Sequence, residues 1–443
     1  MKTYPYFLLS LFVSVVHIRI VAQRHPIQYF RQNNKSGLHQ FETTKQDTSA
    51  FKHMKVKVGG NFTQDFQSLK HQNNATPVYN LSGTNINELI RLKSGLNLAM
   101  ANLNIDAQLE DGIRLNLTCY LSTRHHPETW VKGGYVQLDK LPFLKSSPLD
   151  SIMKRVTIKI GSYEMDYGDQ HYRRTDGGNA LFNPFIENYI LDEFTTEIGG
   201  EIYFHPANGF IALIGGSNGQ LKPTVVSSSQ KDSLTGKTNK ALPAIHAKIG
   251  YDKQLTDDFR FRATVSFYGI KSTYENPLFF GDRAGSHYYF VMENTIATAS
   301  ADAWSGRYNP QFSQSVASGM FNAFIKYKGL EFFGTLELAK GRMITEKDQR
   351  YALQYAADVV YRFPKKNENF WIGARYNSVT GTVPAQSQSI TINRVAGSMG
   401  WFITKNILMK LEYVDQQYLN FAKADIRHNG MFNGWMIEAS IGF

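Results

Sequence analysis

"YALQYAADVVYRF", residues 351–363, is the stretch on which the reading of this chain turns. Tyr351, Leu353, Tyr355, Ala357, Val359, Tyr361 and Phe363 fall on one side of an extended chain, and Gln354, Ala356, Asp358, Val360 and Arg362 on the other. A period of two means a strand with two unlike faces. Here the apolar face carries aromatics near its ends and smaller side chains between them. That layout suits a strand facing lipid, because aromatic rings favour the two membrane interfaces.

The pattern repeats along the chain. "FRFRATVSF" (259–267), "FNAFIKYKG" (321–329), "FWIGARYNS" (370–378) and "ILMKLEYVDQQY" (407–418) alternate in the same way. Sixteen such segments are expected near 51–66, 88–109, 112–123, 129–139, 155–166, 193–205, 209–216 and 243–254. The others lie near 258–272, 319–329, 330–342, 350–363, 369–379, 391–404, 406–418 and 431–443. The last contains "GWMIEASIGF" (434–443), which sets Trp435, Ile437, Ala439, Ile441 and Phe443 on one face. In a closed barrel this strand must pair with the first, near "MKVKVGG", since an unpaired edge is not tolerated in lipid. A final aromatic strand also resembles the signal read by outer-membrane assembly machinery, which makes that machinery an expected partner through Phe443.

The connections carry a second signal. "EDG" (110–112), "HPANG" (205–209), "QLTDD" (254–258), Gly329, "PKKNEN" (364–369) and Lys405–Asn406 are short and rich in turn residues. The alternate connections are longer, notably 167–192, 217–242 and 273–318. Short turns alternating with long loops are the signature of a transmembrane β-barrel with turns in the periplasm and loops outside. A soluble β-sandwich shares the alternation but not the parity of loop lengths. "DKLPFLKSSPLDSIMKR" (139–155) is the one turn-side connection too long for a tight turn.

Composition agrees. The chain of 443 residues has 13% aromatics, 35 glycines and 19% charged residues, unlike a disordered chain or a helical bundle. Its mean hydropathy of −0.34 fits a barrel in which only alternate strand residues meet lipid. Residues 1–22 read as a secretory signal: Lys2 is the positive region, Phe7 to Val16 the apolar core, and Ile20-Val21-Ala22 the cleavage site. No other stretch is apolar enough for a membrane helix. The formal charge is +11, or +9 without Lys2 and Arg19. Export makes nucleic acid an unexpected partner and leaves lipid headgroups and anionic solutes. The lone Cys119 excludes an intrachain disulfide and lies on an apolar face.

If the apolar faces meet lipid, the opposite faces line a lumen. Lys55, Lys57, Arg114, Lys159, Lys248, Arg260, Arg262, Lys326, Lys328, Arg375 and Lys410 are expected there. Glu197, Glu201, Glu331, Glu337, Glu412 and Glu438 are expected beside them. Rings of basic side chains favour anions, although the same charges can simply pair across strands. In sixteen-stranded porins generally, the third outer loop folds inward and narrows the channel. Here that loop begins in "MDYGDQHYRRTDGG" (165–178), and Asp166, Asp169, His171, Arg173, Arg174 and Asp176 form the candidate constriction. Opposed acids and arginines there would set a transverse field. The alternative is that the arginines pair with nearby aspartates and hold the loop folded.

Other chemistry is faint. His125-His126 lacks a third ligand for a metal site, "IGGSNG" (214–219) lacks the lysine of a phosphate loop, and no nucleophile motif accompanies Asp169 and His171. No catalytic residue, metal or cofactor is expected. Residues 23–50 do not alternate and read either as a periplasmic extension or as a plug entering a barrel formed by 51–443.

"YFRQNNKSGLHQFET" (29–43), "VKVGGNFTQDFQSL" (56–69), "GGYVQLDKLPFL" (133–144) and above all "YGDQHYRRTDGGNALFNPFIENYILDEFTTEIGGE" (167–201) resemble a family of porin-like outer-membrane proteins of the Bacteroidota. There is a looser likeness to phosphate-type porins. The resemblance implies an outer-membrane barrel in a Gram-negative cell, and implies that "DKLPFL" is a regular part of the pattern. It fixes no solute, and no ladder of arginines and lysines like that of a dedicated phosphate channel is legible. The expected function is a passive diffusion channel for small hydrophilic solutes with modest anion preference, in a barrel that could trimerise. A plugged barrel acting as receptor, adhesin or anchor is the alternative, and a membrane-embedded hydrolase a weaker third.

Overall fold

The computed structural model describes residues 27–47, 49–97, 100–122, 129–174, 180–280, 287, 289–386 and 388–443. The signal-like segment, His125, His126 and Asp176 lie outside them. Sixteen long antiparallel strands close into one barrel. They are β1 (Lys55–Gln72), β2 (Met100–Glu110), β3 (Ile113–Ser122), β4 (Thr129–Leu138), β5 (Val156–Glu164), β6 (Thr196–Phe204), β7 (Phe210–Ser217) and β8 (Ala244–Thr256). Then come β9 (Phe259–Ile270), β10 (Ser315–Tyr327), β11 (Leu330–Arg342), β12 (Arg350–Phe363), β13 (Phe370–Gly381), β14 (Ile390–Thr404), β15 (Ile407–Leu419) and β16 (Met431–Gly442). Among the described residues no helix is long and apolar enough to cross a membrane.

Closure follows the seam expected from the sequence. β1 pairs with β16 from Asn61↔Gly442 to Gln72↔Met431, and the Gly60 and Phe443 backbones exchange both hydrogen bonds at 3.1 Å. Every strand edge is thereby paired, which is what lipid demands. The alternation also holds in space. In β12, Gln354, Asp358 and Arg362 are buried inside while Tyr355, Val359, Tyr361 and Phe363 face outward. At the turn end, Tyr361, Phe363, Phe370 and Trp401 stack in a row with ring centroids 5.7–6.0 Å apart. Towards the loop end, Tyr355 meets Tyr376 and Tyr413 meets Trp435. These are the two aromatic girdles of a membrane-spanning barrel.

Three sequence expectations shift. The first strand runs to Gln72, beyond the expected 51–66, because its loop-end half stays paired with the last strand as far as Gln72↔Met431. The second begins at Met100, not near 88. Leu89 bridges Asn294 in a loop, and only Gly95–Leu96 makes an early contact with β1. Lys328 was expected in the lumen. It sits instead in the exposed β10–β11 turn at φ +53°, with its Nζ 5.1 Å from the centre of the Tyr327 ring. The long 139–155 connection is a 3-10 turn (Pro142–Leu144) followed by α1 (Ser147–Met153).

The interior is not an open tube. The β5–β6 loop folds inward, and Phe185, Ile190 and Leu191 are completely buried. The β9–β10 loop joins it: Tyr308 N donates to Ile190 O at 2.7 Å and Phe194 N to Leu278 O at 3.1 Å. Leu278, Phe279, Val291 and Phe312 pack there with Val379, Ile392 and Val414 of the wall, forming an apolar core inside the barrel. Gly400 shows how close the wall packing is, since a Cβ there would lie 2.0 Å from the Trp371 ring. That ring in turn donates Nε1–H to Pro184 O at 3.1 Å.

Candidate functional site

The charges expected to line the lumen are largely engaged in holding these inward segments. Asp169, where the β5–β6 loop enters the barrel, accepts Nε and Nη2 of Arg262 at 2.8 and 2.7 Å and the Thr264 hydroxyl at 2.8 Å. Lys248 reaches Asp169 at 3.2 Å and also pairs with Asp166. Burial opposes ionisation of Asp169, but Arg262 and Lys248 more than offset it and hold this carboxyl well below the usual range. His171 lies between Glu164 and Asp166, with Nε2 2.9 Å from Asp166 Oδ1. Burial disfavours its charge, yet the Glu164 and Asp166 carboxylates push it up to about 9, so the imidazole is charged at neutral pH.

The two arginines of the loop differ. Arg174 makes a two-pronged contact with Asp192, 2.8 Å on each side, and Arg307 of the β9–β10 loop reaches the same carboxylate at 2.7 Å. Burial opposes the Asp192 charge, and these guanidinium groups pull its carboxyl below the usual range. Arg173 lies over Phe333 at 4.9 Å and Phe324 at 5.6 Å, with Glu331 at 3.9 Å.

On the opposite wall, Arg375 bonds Asp358 at 2.7 and 2.8 Å between the rings of Phe185 and Tyr189, each 4.1 Å away. Lys410 donates to the carbonyls of Ala180, Asn183 and Phe185. Glu201 accepts the Asp166 amide at 2.8 Å and lies 2.9 Å from His246 Nε2, while Glu197 accepts the Tyr268 hydroxyl at 2.8 Å. Arg260 pairs with Asp252 and Lys326 with Glu368.

Residues 27–47 form a strap across the turn end. Gln28 N donates to Gln108 at 2.8 Å on β2. Lys45 reaches Asp139 at 3.0 Å and Val156 O at 2.8 Å. His39 Nε2 lies 2.8 Å from Glu331 on β11, and Lys35 N donates to Lys405 O at 2.8 Å. Glu42 makes the central contact, accepting both Nη atoms of Arg262 at 2.7 and 2.8 Å. The strap therefore touches walls on every side. Its sequence gave no period to find, although the run of Gln, Asn and Lys in 32–35 suits many separate hydrogen bonds.

What stays uncovered is the wall of β2 to β6. A cavity of about 260 Å³ lies there, lined by Arg114, Tyr135, Lys159, Tyr163 and Glu164 of the wall, Tyr172 of the loop, and Phe30, Arg31 and Glu42 of the strap. Lys159 Nζ sits 4.1 Å above the Tyr163 ring and 4.7 Å above Tyr135. A second cavity of about 970 Å³ opens on the turn side. Phe30, Arg31, Phe41, Glu42 and Thr43 line both, so the strap is the partition between them. Of the expected constriction and lumen residues, Lys159 and Arg114 line the smaller cavity. Asp166, Asp169, His171, Arg173, Arg174, Arg262, Lys326, Arg375, Lys410, Glu197 and Glu201 do not, and Arg260 lines the larger one. Arg31 and Glu42 came from outside the alternating segments and were not expected.

No family model and no curated relative matches the chain. Its fold is similar to that of solved outer-membrane barrels. An anion-selective porin from Comamonas acidovorans superposes with a TM-score of 0.53 at 8% identity, over 88% of this chain and all of that one. The outer-membrane channel DcaP of Acinetobacter baumannii superposes with a TM-score of 0.50 at 11% identity, over 88% of this chain and 98% of that one. At such identities the likeness speaks for the fold.

Proposed function

We propose that this protein is an outer-membrane diffusion channel for small hydrophilic solutes in a Gram-negative cell envelope, and that its pathway runs along the β2–β6 wall. The observation that carries this reading is the polar cavity left beside that wall by the inward loops. Its lining has Arg31, Arg114, Lys132 and Lys159 against Glu42, Asp106 and Glu164, an excess of one positive charge. That excess supports a modest anion preference, because charge at a narrow point weighs most on permeating ions. The anchored constriction residues Asp166, Asp169, His171, Arg173 and Arg174 act by holding the loop that shapes the pathway; Asp176 lies outside the described residues. The sequence stretches that resemble porin-like Bacteroidota proteins support membership of that family, and the sixteen-stranded barrel is compatible with a homotrimer. The closed β1–β16 seam suits handling of the Phe443 strand by assembly machinery.

The strap and the two inward loops favour a second reading, a plugged barrel that acts as a surface receptor or anchor. Planar-bilayer recording of the refolded full chain separates the two. Stable ohmic steps with a reversal potential on the anion side support the channel. Silence at all voltages supports the plugged barrel, and a cation-side reversal potential removes the anion preference.

A further inference from the structure

Where the barrel closes, the sequence sets two acids directly opposite each other. Asp65 of β1 and Glu438 of β16 are register partners, and both side chains point inward and are buried. Like charges opposed across strands destabilise the pair unless something neutralises them. Lys410, the register partner of Glu438 on β15, contacts Glu438 from its far side but not Asp65. The third group comes from the β9–β10 loop. His287 inserts its imidazole at the seam, with Nδ1 3.3 Å from Asp65 Oδ2 and Nε2 3.2 Å from Glu438 Oε2. Among the described residues, no other cationic side chain is within ion-pair distance of Asp65.

These groups are close without being hydrogen-bonded to one another. His287 Nδ1, Asp65 Oδ1 and the Glu438 Oε2 that Lys410 leaves are buried with no hydrogen-bond partner. An atom of that kind ordinarily carries a desolvation cost that folding avoids. The His287 Nε2 edge does have a hydrogen-bond contact, to the Thr63 hydroxyl at 3.1 Å. One ligand atom from each of Asp65, His287 and Glu438 lies within 4.8 Å of the others. Ligands about 2.0–2.1 Å from a tetrahedral ion are roughly 3.3 Å from each other. With Nδ1 as the ligand nitrogen, its 3.3 Å spacing from Asp65 Oδ2 is that of two such ligands. A histidine fixed by a hydrogen bond from its other edge is also the usual arrangement at a metal.

We propose that Asp65, His287 and Glu438 form a binding site for a divalent cation of the zinc class at the seam of the barrel. The mixed oxygen and nitrogen donors favour such an ion over calcium or magnesium, which take oxygen ligands. The ion neutralises the opposed carboxylates and fastens the long β9–β10 loop to the first and last strands together. Thr63 is a positioning residue that sets the imidazole, and Lys410 balances the outer side of Glu438.

The test uses the refolded full-length chain in detergent, with Zn²⁺ alone as the probe. Elemental analysis after dialysis should find one zinc per chain, and EDTA should lower the temperature at which the barrel unfolds on a gel. H287A should weaken zinc binding by at least about tenfold and abolish the EDTA effect. D65N, which keeps the shape of the side chain and the imidazole, serves where H287A fails to fold and should weaken binding likewise. H125A/H126A should change neither readout. No bound zinc in the folded wild type, zinc retained by H287A or D65N, or an unfolding temperature indifferent to EDTA would each overturn the proposal.

Discussion

Replacing Glu42 by alanine should release the strap. Glu42 accepts two charge-assisted hydrogen bonds from Arg262, at 2.7 and 2.8 Å, with Lys248 at 3.4 Å behind them. Bonds of this kind are each worth about 1.5–3 kcal/mol. The lower end applies, because Arg262 keeps Asp169 and Asp252 and is not stranded without a partner. Two such bonds make a loss of about 3 kcal/mol, and about 1.4 kcal/mol corresponds to tenfold in a population. The strap-released state should therefore grow by about a hundredfold. Release merges the cavities of about 260 and 970 Å³ that Phe30 to Thr43 now divide. In planar bilayers E42A should spend far more time at high conductance than wild type. A Thr43→Cys reporter should react with a turn-side thiol reagent about a hundredfold faster in the E42A background. Equal labelling rates and equal conductance histograms in the two backgrounds would show that this ion pair does not hold the strap, and the partition would need another explanation.

Four further outcomes follow from the same geometry. Lys159→Gln removes the charge excess of the cavity lining and should move the reversal potential to neutral, while an unmoved potential would place the pathway elsewhere. Arg174→Ala should leave the reversal potential unchanged but lower barrel stability by about 2–3 kcal/mol, read from unfolding in urea, because Asp192 loses its two-pronged partner in a buried setting and keeps Arg307 and a long contact to Asn188. The raised His171 gives stability that is fully present below its ordinary value near 6.5 and lost as pH rises through about 9. Protease nicking of the β5–β6 loop should therefore increase between pH 7 and 10 in wild type, and His171→Asn should flatten that profile. Deleting Phe443 removes the two backbone hydrogen bonds with Gly60, so membrane assembly should slow; normal assembly of the shortened chain would restrict the closing role to the pairs from Gly442 inward.

The strands of this protein could be read from the sequence because the two faces of each strand meet different surroundings. Lipid on one side and lumen on the other act on each residue separately, so the record is local and has a period of two. Tyr355, Val359 and Tyr361 would read as outward-facing whatever their neighbours were. Turn chemistry is equally local, and the largest misplacement was the second strand's start, where Leu89 mimics a strand residue but bonds to a distant loop. The interior obeys other rules. Arg262 meets Glu42 across 220 positions of sequence, and Lys410 meets the Phe185 carbonyl across 225. Whether a lumen charge faces a solute or anchors a loop depends on such partners, and no periodicity encodes them. Sequence alone therefore determined a membrane barrel, its turn and loop ends, and the pairing of its first and last strands. Only the tertiary structure decided that the loops and the strap fold into that barrel, because burying a charge inside it requires a specific partner that folding, not adjacency, supplies.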